Sequence, residues 1–353
     1  MTAARLSLAT IATEVPMGAQ AYQRQIGERA EAALRHTSSE PWTVRPLVFR
    51  SLRSPLDGNR RLPLGRVARA TETARAALGR LLYRGDTVSH RMALELPPSP
   101  HADVITLHDV VSWRFPDESA PVAAAAAEAR RATAVICVSA FTASEAVDFL
   151  GVADPHVVPN GVDPRYLDAT PLTDQERTAL GLERPFLLHA GGAARRKNLE
   201  ALAGAWPRIH RERPDLLLAL AGPPHPRRTE LFSGLPAVRL LGRLPDELMP
   251  GLVAAARAVV VPSLYEGFGL PVLEAMAARV PVIAANTSSL PEVAGGAAVI
   301  VEPTADGVVD GVLTATSGDS AVDALIAAGR ARAAEFTWER SAQGHARIWN
   351  ALR

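Results

Sequence analysis

The chain has 353 residues, is 48% hydrophobic and carries a formal net charge of +1. This length predicts two domains, the hydrophobic fraction excludes a disordered chain, and the balanced charge gives no support to a nucleic-acid partner. All but one of the 38 basic residues are arginines, Lys197 being the single lysine, and the single cysteine, Cys137, has no partner for an internal disulfide. A reducing compartment fits that cysteine, and no apolar run is long enough to span a bilayer, so we expect a cytoplasmic protein.

The first half of the chain alternates between strand and helix signals. "RLSLATIAT" predicts a strand, "EVPMGAQ" a glycine turn and residues 21–34 a helix, which together open a βαβ unit. Residues 36–100 are rich in Arg and Pro, and only 66–82 have a helical pattern there. "DVITLHDVV" predicts a strand that ends in the polar pair His108 and Asp109, and an alanine-rich helix follows. "AVICVS" predicts a strand, "SAFTASE" a turn and helix, and "HVVPNGVDP" the end of a domain.

The same alternation starts again in the second half. The segments "PFLLHAGG", "LLLALAGPP", "VRLLGRL", "AVVVPS" and "VPVIAAN" predict strands separated by helices. Short apolar strands between helices indicate parallel sheets covered on both faces. We therefore expect an α/β protein with two Rossmann-like, doubly wound domains, 1–165 and 166–335, facing across a cleft that holds the ligand. A final helix covers 336–353, and its return to the first domain is left open.

The stretch "YEGFGLPVLEAMA" places Glu266 and Glu274 on either side of a glycine-rich turn. Gly267 and Gly269 permit backbone angles and close approach that other residues do not. A helix that begins near Leu270 presents free N–H groups that attract phosphate, and carboxylates are strong acceptors for sugar hydroxyls. The combination predicts a nucleotide-sugar site. The alternative is a simple turn followed by an ordinary exposed glutamate.

The longer stretch "EGFGLPVLEAMAARVPVIAANTSSLPEV" resembles the donor-binding signature of retaining GT-B glycosyltransferases. It matches the large E-x7-E family, glycosyltransferase family four, which includes sucrose synthase and many bacterial mannosyltransferases. The resemblance continues, in the family's order, through "ITLHDVVSWRFPD", "CVSAFTASE", "VPNGVDP", "GGAARRKNLEAL" and "VPSLYEGFG". It implies the GT-B fold, and it is weakest over 37–100, where such enzymes usually carry acceptor specificity.

The resemblance implies donor-binding roles for individual residues. Glu266 would contact hydroxyls of the transferred sugar, Glu274 the ribose, and Arg196 and Lys197 of "AARRKN" the diphosphate. The backbone of the turn would reach the sugar and phosphates through Gly267, Phe268, Gly269 and Leu270. Fixed cations favour the charge that builds on phosphate oxygens as the glycosidic bond breaks. The alternative for the basic pair is a solvated helix start, and Gly192 stands where many relatives carry a further arginine.

The resemblance also implies residues on the other side of the reaction. His108 would lie near the anomeric carbon and the 6-hydroxyl of the sugar, the alternative being a histidine packed at a strand end. Asp109 and Ser139 are assigned to the acceptor side, although a helix cap is the favoured role of Ser139. Gly18 corresponds to a glycine loop near the donor phosphates or the acceptor, with Met17 where relatives often have a second glycine. Arg243 corresponds to the nucleobase region.

We therefore expect a retaining hexosyltransferase with a front-face mechanism, in which the leaving phosphate takes the proton of the acceptor hydroxyl. GDP-mannose is the favoured donor and a glycan or lipid-linked molecule the acceptor. No metal or other cofactor is expected, since there is no D-x-D and no His or Cys cluster with ligand spacing. UDP-glucose, dTDP-rhamnose and a non-catalytic nucleotide-sugar binder remain open, whereas an NAD-linked enzyme would need a third glycine. The Arg-rich stretch "RSPLDGNRRLPLGRVARA" fits both peripheral contact with the inner face of the plasma membrane and a solvated face.

Overall fold

The computed structural model describes residues 3–14, 18–115 and 118–353, which form two compact units. Unit 1 comprises Met1–Gly161 together with Trp338–Arg353, and unit 2 comprises Val162–Thr337. The sequence analysis placed the boundaries at 165/166 and 335/336. In the structure, the segment 162–165 lies with the second unit and not with the first. The last helix of the chain lies with the first unit.

Unit 1 is built on a seven-stranded sheet in which every neighbouring pair is parallel. The strands are β1 Ala4–Ile11, β2 Trp42–Arg50, β3 Arg60–Arg61, β4 Val88–Arg91, β5 Ala102–Leu107, β6 Ala134–Cys137 and β7 His156–Val157. Their order across the sheet is β3-β2-β1-β4-β5-β6-β7. The strand order reverses between β1 and β4, so the carboxyl ends of β1 and β5 lie near the point where such sheets bind ligands.

The helices of unit 1 include one element from the far end of the chain. They are α1 Gly18–Thr37, α2 Leu64–Ala68, α3 Glu72–Leu82, α4 Val111–Arg114, α5 Ala125–Arg131, α6 Ala140–Glu145, which continues as a π-helical turn over Ala146–Leu150, and α16 Trp338–Ala351. Helices α1 and α16 share one buried core with the sheet, in which Tyr22 and Ile26 meet Trp338 and Trp349. Apolar residues at helical spacing on both helices account for this packing.

The Arg-rich region that sequence patterns do not resolve is organised by buried charge. Arg75 is fully buried, and its guanidinium contacts both carboxylate oxygens of Glu128, at 2.6 and 2.9 Å, as well as four backbone carbonyls. Arg91, also fully buried, binds Asp103 through two hydrogen bonds of 2.9 and 2.8 Å and reaches Glu128 at 3.1 Å. The expected helix 66–82 is divided into α2 and α3, and strands β2, β3 and β4 were not predicted.

Unit 2 is built on a six-stranded sheet, also parallel throughout, in the order β10-β9-β8-β11-β12-β13. Its strands are β8 Phe186–Ala190, β9 Leu217–Ala221, β10 Val238–Gly242, β11 Ala258–Val261, β12 Val282–Ala285 and β13 Val299–Val301. Its helices are α7 Pro164–Leu167, α8 Asp174–Ala179, α9 Leu199–Glu212, α10 Pro226–Phe232, α11 Met249–Ala255, α12 Leu270–Ala277, α13 Leu290–Ala294, α14 Ala305–Ala315 and α15 Ser320–Ala334. The expectation of two parallel-sheet α/β domains is confirmed.

Candidate functional site

The loops that follow β8, β11 and β12 lie side by side in unit 2, because these three strands are neighbours in one parallel sheet. The loop after β8 carries Arg196 and Lys197 in a short 3₁₀ turn, and the loop after β11 carries Glu266. Residues 70 positions apart in the sequence thereby meet at the carboxyl edge of the sheet, which is where open α/β sheets bind ligands.

Glu266 lies between the two cations that the sequence assigned to the diphosphate. Its Oε1 accepts a 2.6 Å hydrogen bond from Lys197 Nζ and a 2.8 Å bond from Ser263 Oγ, and Arg196 Nη1 lies 3.5 Å from its Oε2. Only 9% of the Glu266 side chain and 12% of the Lys197 side chain are exposed. Charges buried to this degree are held by partners, so the basic pair is not a solvated helix start.

The electrostatic balance keeps Glu266 ionised. Burial acts to raise its pKa, but the charges of Lys197 and Arg196 and the hydrogen bonds from Lys197 and Ser263 outweigh burial. The pKa of Glu266 therefore lies below its usual value. At neutral pH the side chain can act as a hydrogen-bond acceptor but not as a donor.

Asn198 fixes the position of the basic loop. It follows Lys197 with a left-handed backbone (φ 54°), a conformation that Asn tolerates better than most residues. Its Nδ2 donates 2.9 Å hydrogen bonds to the carbonyl oxygens of Pro262, after β11, and Pro303, after β13. One buried amide thus holds three loops of the same sheet edge together.

Two arginines of α10 hold the glycine segment that precedes the basic turn. The buried Arg228 donates to the carbonyl oxygen of Gly191, and Arg227 Nη1 donates to that of Ala193 at 2.8 Å. Gly222 approaches the same backbone so closely that a Cβ there would lie 2.0 Å from the Gly191 oxygen. The guanidinium groups of α10 therefore hold the backbone of this loop, although position 192, where many relatives carry an arginine, is a glycine.

The glycine-rich turn leads into α12 as the sequence indicates. Gly269 has φ 101°, which favours glycine, and a Cβ there would come 2.8 Å from the Leu290 side chain. The turn is tied down by Ser289, whose Oγ donates to the carbonyl oxygens of Glu266 and Phe268 at 2.9 and 2.8 Å. The side chain of Phe268 is buried and therefore does not face a ligand.

Glu274 lies one turn into α12 in an unusual environment for a carboxylate. Burial, with a smaller effect from the charge of Asp163, raises the pKa of Glu274 to about 7, against the opposing effects of a hydrogen bond with Tyr166 and the charge of Arg165. These three partners lie in or next to α7, within the segment 162–165 or directly after it. The alternative of an ordinary exposed glutamate is inconsistent with this environment.

In unit 1, His108 follows β5 and is partly exposed, but its Nε2 atom is buried and makes no hydrogen bond to a described residue. Burial lowers the pKa of His108 to about 4, so its imidazole is neutral at neutral pH. Its ring lies edge-on to Tyr22, with the ring centres 4.7 Å apart. The side chain of Asp109 accepts a 3.1 Å bond from the N–H of Val111, and that of Ser139 caps α6 by accepting from the N–H of Thr142.

Two predicted site residues lie at more exposed positions. Gly18 is the exposed first residue of α1, and its neighbour Met17 lies outside the described residues. Arg243 is exposed directly after β10, the edge strand of the unit 2 sheet. The structure thus brings Arg196, Lys197 and Glu266 into contact, whereas Gly18 is placed only by the start of α1 and Arg243 only by the end of β10.

Several residues of the site were not predicted. Ser263 and Tyr166 contact Glu266 and Glu274 directly, and Asn198 anchors the loop that carries Lys197. Ser288 adds a further contact, since its Oγ accepts a 2.9 Å bond from the N–H of Glu266. Each lies within or beside a motif that the sequence analysis quoted, so membership of those motifs or proximity to them was the available signal, but only the fold shows which atoms meet.

The described residues contain neither a metal-binding cluster nor a helix able to span a membrane. Within 3–14, 18–115 and 118–353, no group of three or more His, Cys, Asp or Glu side chains is arranged to hold a metal ion. In the same part of the chain, the helices are all too short or too polar for a membrane crossing.

Comparisons with known proteins agree with the sequence motifs. The family model "Glycosyl transferases group 1" matches residues 184–317, and "Glycosyltransferase Family 4" matches residues 38–166. Similar proteins include O-antigen chain mannosyltransferase B of Escherichia coli, 48% identical over 103 residues, 29% of this chain and 27% of that protein. MMP alpha-(1->4)-mannosyltransferase of Mycolicibacterium hassiacum is 32% identical over 173 residues, 47% of this chain and 40% of that protein. The matched stretches span less than half of these relatives.

Solved structures share the fold over the whole chain. Sucrose-phosphate synthase from Thermosynechococcus elongatus matches with a TM-score of 0.74 at 21% identity, over 99% of each chain. HepE of Anabaena, in complex with UDP and glucose, matches with a TM-score of 0.72 at 19% identity, over 99% of this chain and 100% of that chain. With the two family models dividing three quarters of the sequence between them, the chain belongs to the GT-B glycosyltransferases of the family-four type.

Proposed function

We propose that this chain is a retaining glycosyltransferase that moves a hexose from a nucleoside-diphosphate sugar to a glycan or lipid-linked acceptor. The observation that carries the proposal is the buried constellation of Glu266 with Lys197 and Arg196, beside the N-terminal end of α12. It combines cations for a diphosphate with an ionised acceptor for sugar hydroxyls, and the names of the relatives support hexosyl transfer.

Donor binding divides among the loops of unit 2. Lys197 and Arg196 bind the diphosphate, the backbone N–H groups of Gly269 and Leu270 add donors for its oxygens, and Glu266 accepts from sugar hydroxyls. Glu274 accepts from the ribose hydroxyls. Because Asn198 and Ser289 anchor the loops of the first three groups and α7 packs against Glu274 of α12, little side-chain order has to be created on binding.

The transfer step follows from this arrangement. The bond between the anomeric carbon and the diphosphate oxygen breaks, and its electrons go to the diphosphate, whose growing charge Lys197 and Arg196 stabilise. The acceptor oxygen forms its bond to the same face of the anomeric carbon and gives its proton to the departing phosphate oxygen. His108 is neutral, and its buried Nε2 has no hydrogen-bond partner among the described residues. We assign this side chain to contact with the sugar at the anomeric centre. The residues supply the charge stabilisation, and the proposal includes no metal or other cofactor.

GDP-mannose is the favoured donor, with mannose as the transferred sugar. Several relatives are named mannosyltransferases, among them serotype-specific mannosyltransferase WbdA of Escherichia coli, 30% identical over 232 residues, 61% of this chain and 28% of that protein. UDP-glucose and dTDP-rhamnose are the competing donors, and they are included in the test below.

The acceptor is proposed to bind unit 1. An open groove of about 640 Å³ runs along α1, and its apolar wall comes from β1 and β2. Polar groups in the groove include the hydroxyl of Thr10, the amide of Gln23 and the guanidinium of Arg24. Such a mixture suits a glycan. Part of the wall, including Val44, comes from the region 37–100, where the family resemblance is weakest.

Peripheral membrane contact is proposed for a lipid-linked acceptor. The segment 51–69 exposes Leu52 together with five arginines, Arg53, Arg60, Arg61, Arg66 and Arg69. Basic side chains attract anionic headgroups, at about 1 kcal/mol for each residue near the surface. Replacing the five arginines by serine should weaken co-sedimentation with anionic vesicles, and equal binding of both proteins would reject this contact.

The proposed function is tested by incubating the purified chain with GDP-mannose, UDP-glucose or dTDP-rhamnose and a panel of saccharide and lipid-linked acceptors. NMR of the product should show the anomeric configuration of the donor retained. Glu266→Gln should abolish transfer, while Asp306→Asn, which breaks an exposed ion pair with Arg208 in the same unit, should leave it unchanged. Binding of nucleotide sugars without transfer to any acceptor or to water would instead indicate a non-catalytic binder.

A further inference from the structure

Unit 1 contains a buried chain of polar side chains that the proposed chemistry does not use. Tyr22 of α1 lies in its middle, with its hydroxyl 2.7 Å from Thr106 Oγ1 and 2.6 Å from His345 Nε2. Thr106 in turn lies 2.7 Å from Nε2 of His90. The chain joins two strands, β4 and β5, to α1 and to the last helix, α16, and all four side chains are 2% exposed or less.

The direction of every hydrogen bond in this chain follows from its end at α16. His345 Nδ1 lies 2.8 Å from the carbonyl oxygen of Ser341, which can only accept, so Nδ1 carries the proton. Burial lowers the pKa of His345 to about 4, so the ring is neutral and its Nε2 is an acceptor. The Tyr22 hydroxyl must therefore donate to His345.

The remaining bonds are fixed by the single proton on each hydroxyl. Because Tyr22 donates to His345, its oxygen accepts from Thr106, and Thr106 then accepts from the Nε2–H of His90. His90 is left with a bare Nδ1, and this atom is buried without a partner. The direction of the chain thus accounts for which nitrogen of His90 is unpartnered.

The middle of the chain packs against His108, the residue assigned to the reaction centre. The Tyr22 ring, held by hydroxyl bonds on both sides, packs edge-on against His108 at 4.7 Å. On its other sides it contacts Trp338 and His345 of α16, with ring centres 6.3 and 5.6 Å away. His108 makes no side-chain hydrogen bond through Nε2 among the described residues, so ring packing is what orients this nitrogen.

We propose that Tyr22 and His345 are positioning residues for His108: the last helix, through the directed chain His90–Thr106–Tyr22–His345, holds the imidazole of His108 in the orientation that transfer requires. The catalytic role of this positioning rests on the proposed function. The direction of the hydrogen-bonded chain and the packing of Tyr22 against His108 are properties of the fold alone. A purely structural role for the chain would change stability without changing the orientation of His108.

The first test is NMR of the full chain labelled with ¹⁵N-histidine, with signals assigned by single substitutions. We expect the neutral Nδ1–H form for His345 and the neutral Nε2–H form for His90, and the reverse forms would overturn the proposal. Tyr22→Phe, which cuts the chain but keeps the ring, should shift the His108 signals. The control Asn350→Ala removes two other hydrogen bonds of α16, to Trp42 and Thr37, and should leave the His108 signals in place. Unchanged His108 signals in Tyr22→Phe would equally overturn the proposal.

The second test is kinetic and uses donor transfer by the same proteins. Tyr22→Phe and His345→Leu should lower kcat about tenfold with the donor KM within about twofold, since misplacement of a catalytic group reduces the rate and not donor binding by unit 2. His345→Gln restores an acceptor for the Tyr22 hydroxyl and should recover most of the rate. Equal kcat values for His345→Leu and His345→Gln would contradict the proposal. If the wild-type chain transfers no sugar, the proposed function fails, while the NMR test still decides the hold on His108.

Discussion

Replacing Glu274 by glutamine should change how the stability of unit 2 depends on pH. Burial and the charge of Asp163 raise the pKa of Glu274 to about 7, from an ordinary value of 4.5. Between these two values the folded unit binds more protons than the unfolded chain. The free energy of unfolding therefore falls as the pH rises from 4.5 to 7, and above pH 7 the full cost of the buried charge is present.

The size of the effect follows from the shift. The difference of 2.5 pKa units, at about 1.4 kcal/mol for each unit, gives at most about 3.5 kcal/mol, and partial exposure of the side chain lowers this to about 2 kcal/mol. Glutamine carries no charge at any pH, so Glu274→Gln should match the wild type near pH 4.5 and exceed its stability at pH 8. For a unit of this size, about 2 kcal/mol corresponds to a rise in Tm of roughly 4–8 °C.

Calorimetric unfolding of both proteins at several values between pH 4.5 and pH 8.5 measures this difference. The matched control is Glu302→Gln, which replaces an exposed glutamate of the same unit. Wild-type and Glu274→Gln curves of Tm against pH that run parallel would refute the reasoning, because the raised pKa is its only source of divergence.

Proton release on nucleotide binding tests whether Glu274 contacts the donor. Ribose hydroxyls donate to a carboxylate, so binding a nucleoside diphosphate should favour ionised Glu274 and release about half a proton at pH 7. Titration calorimetry in buffers of different ionisation enthalpy measures that release. It should vanish in Glu274→Gln, and a proton release that is the same in both proteins would remove Glu274 from the ribose site.

Three further predictions concern the other buried charges and the loop anchor. Lys197→Met should weaken binding of a nucleoside diphosphate at least about tenfold by calorimetry, and Lys197→Arg, which keeps the charge, should lose less. Asn198→Ala should lower the Tm of unit 2 more than Asn198→Gly, since both lose the two amide bonds but only glycine fits φ 54° without strain. Arg75→Met leaves the buried carboxylate of Glu128 short of a partner and should cost about 3–5 kcal/mol in urea unfolding, whereas the exposed Arg35→Met should cost close to nothing.

The part of the site that the sequence predicts well is the part built from short-range patterns. The turn before α12 needs glycine at 269 because φ is 101°, and the helix begins at Leu270 as the pattern indicates. The basic pair is equally local, since Arg196 and Lys197 lie in one short turn. Local backbone requirements are written in the residues themselves, which is why these elements could be read without a structure.

The region 37–100 could not be predicted because its stabilising groups are charged. Sequence analysis treats arginine as a surface residue and recognises a buried strand by its run of apolar residues. Here Arg75 and Arg91 are fully buried and are compensated by Glu128 and Asp103, which lie 53 and 12 residues away. No hydropathy pattern contains that pairing, so the strands β2 and β4 and the break between α2 and α3 were not predicted.

Contacts between distant residues were missed for the same reason. Tyr166 reaches Glu274 across more than 100 positions, and His345 reaches Tyr22 across 323. Segment 162–165 was assigned to the first domain, whereas it lies with unit 2, and α7, which begins at Pro164, shapes the environment of a predicted ribose-binding carboxylate. Sequence patterns predicted which loops carry the site, and the fold determines which side chains support it.

The pairing of Glu266 with Lys197 leads to a prediction that distinguishes a sugar nucleotide from a plain nucleotide. A diphosphate must draw Lys197 away from a carboxylate that lies 2.6 Å from its ammonium group. A donor sugar compensates Glu266 with its hydroxyls, but a nucleoside diphosphate without a sugar leaves that carboxylate short of a partner. Glu266→Gln should therefore bind the plain nucleotide about tenfold more tightly than the wild type, since a charge-assisted bond is worth about 1.5–3 kcal/mol, and should lose the preference for the sugar nucleotide. Weaker binding of the plain nucleotide by Glu266→Gln would show that Glu266 orients Lys197 for the diphosphate and does not compete with it.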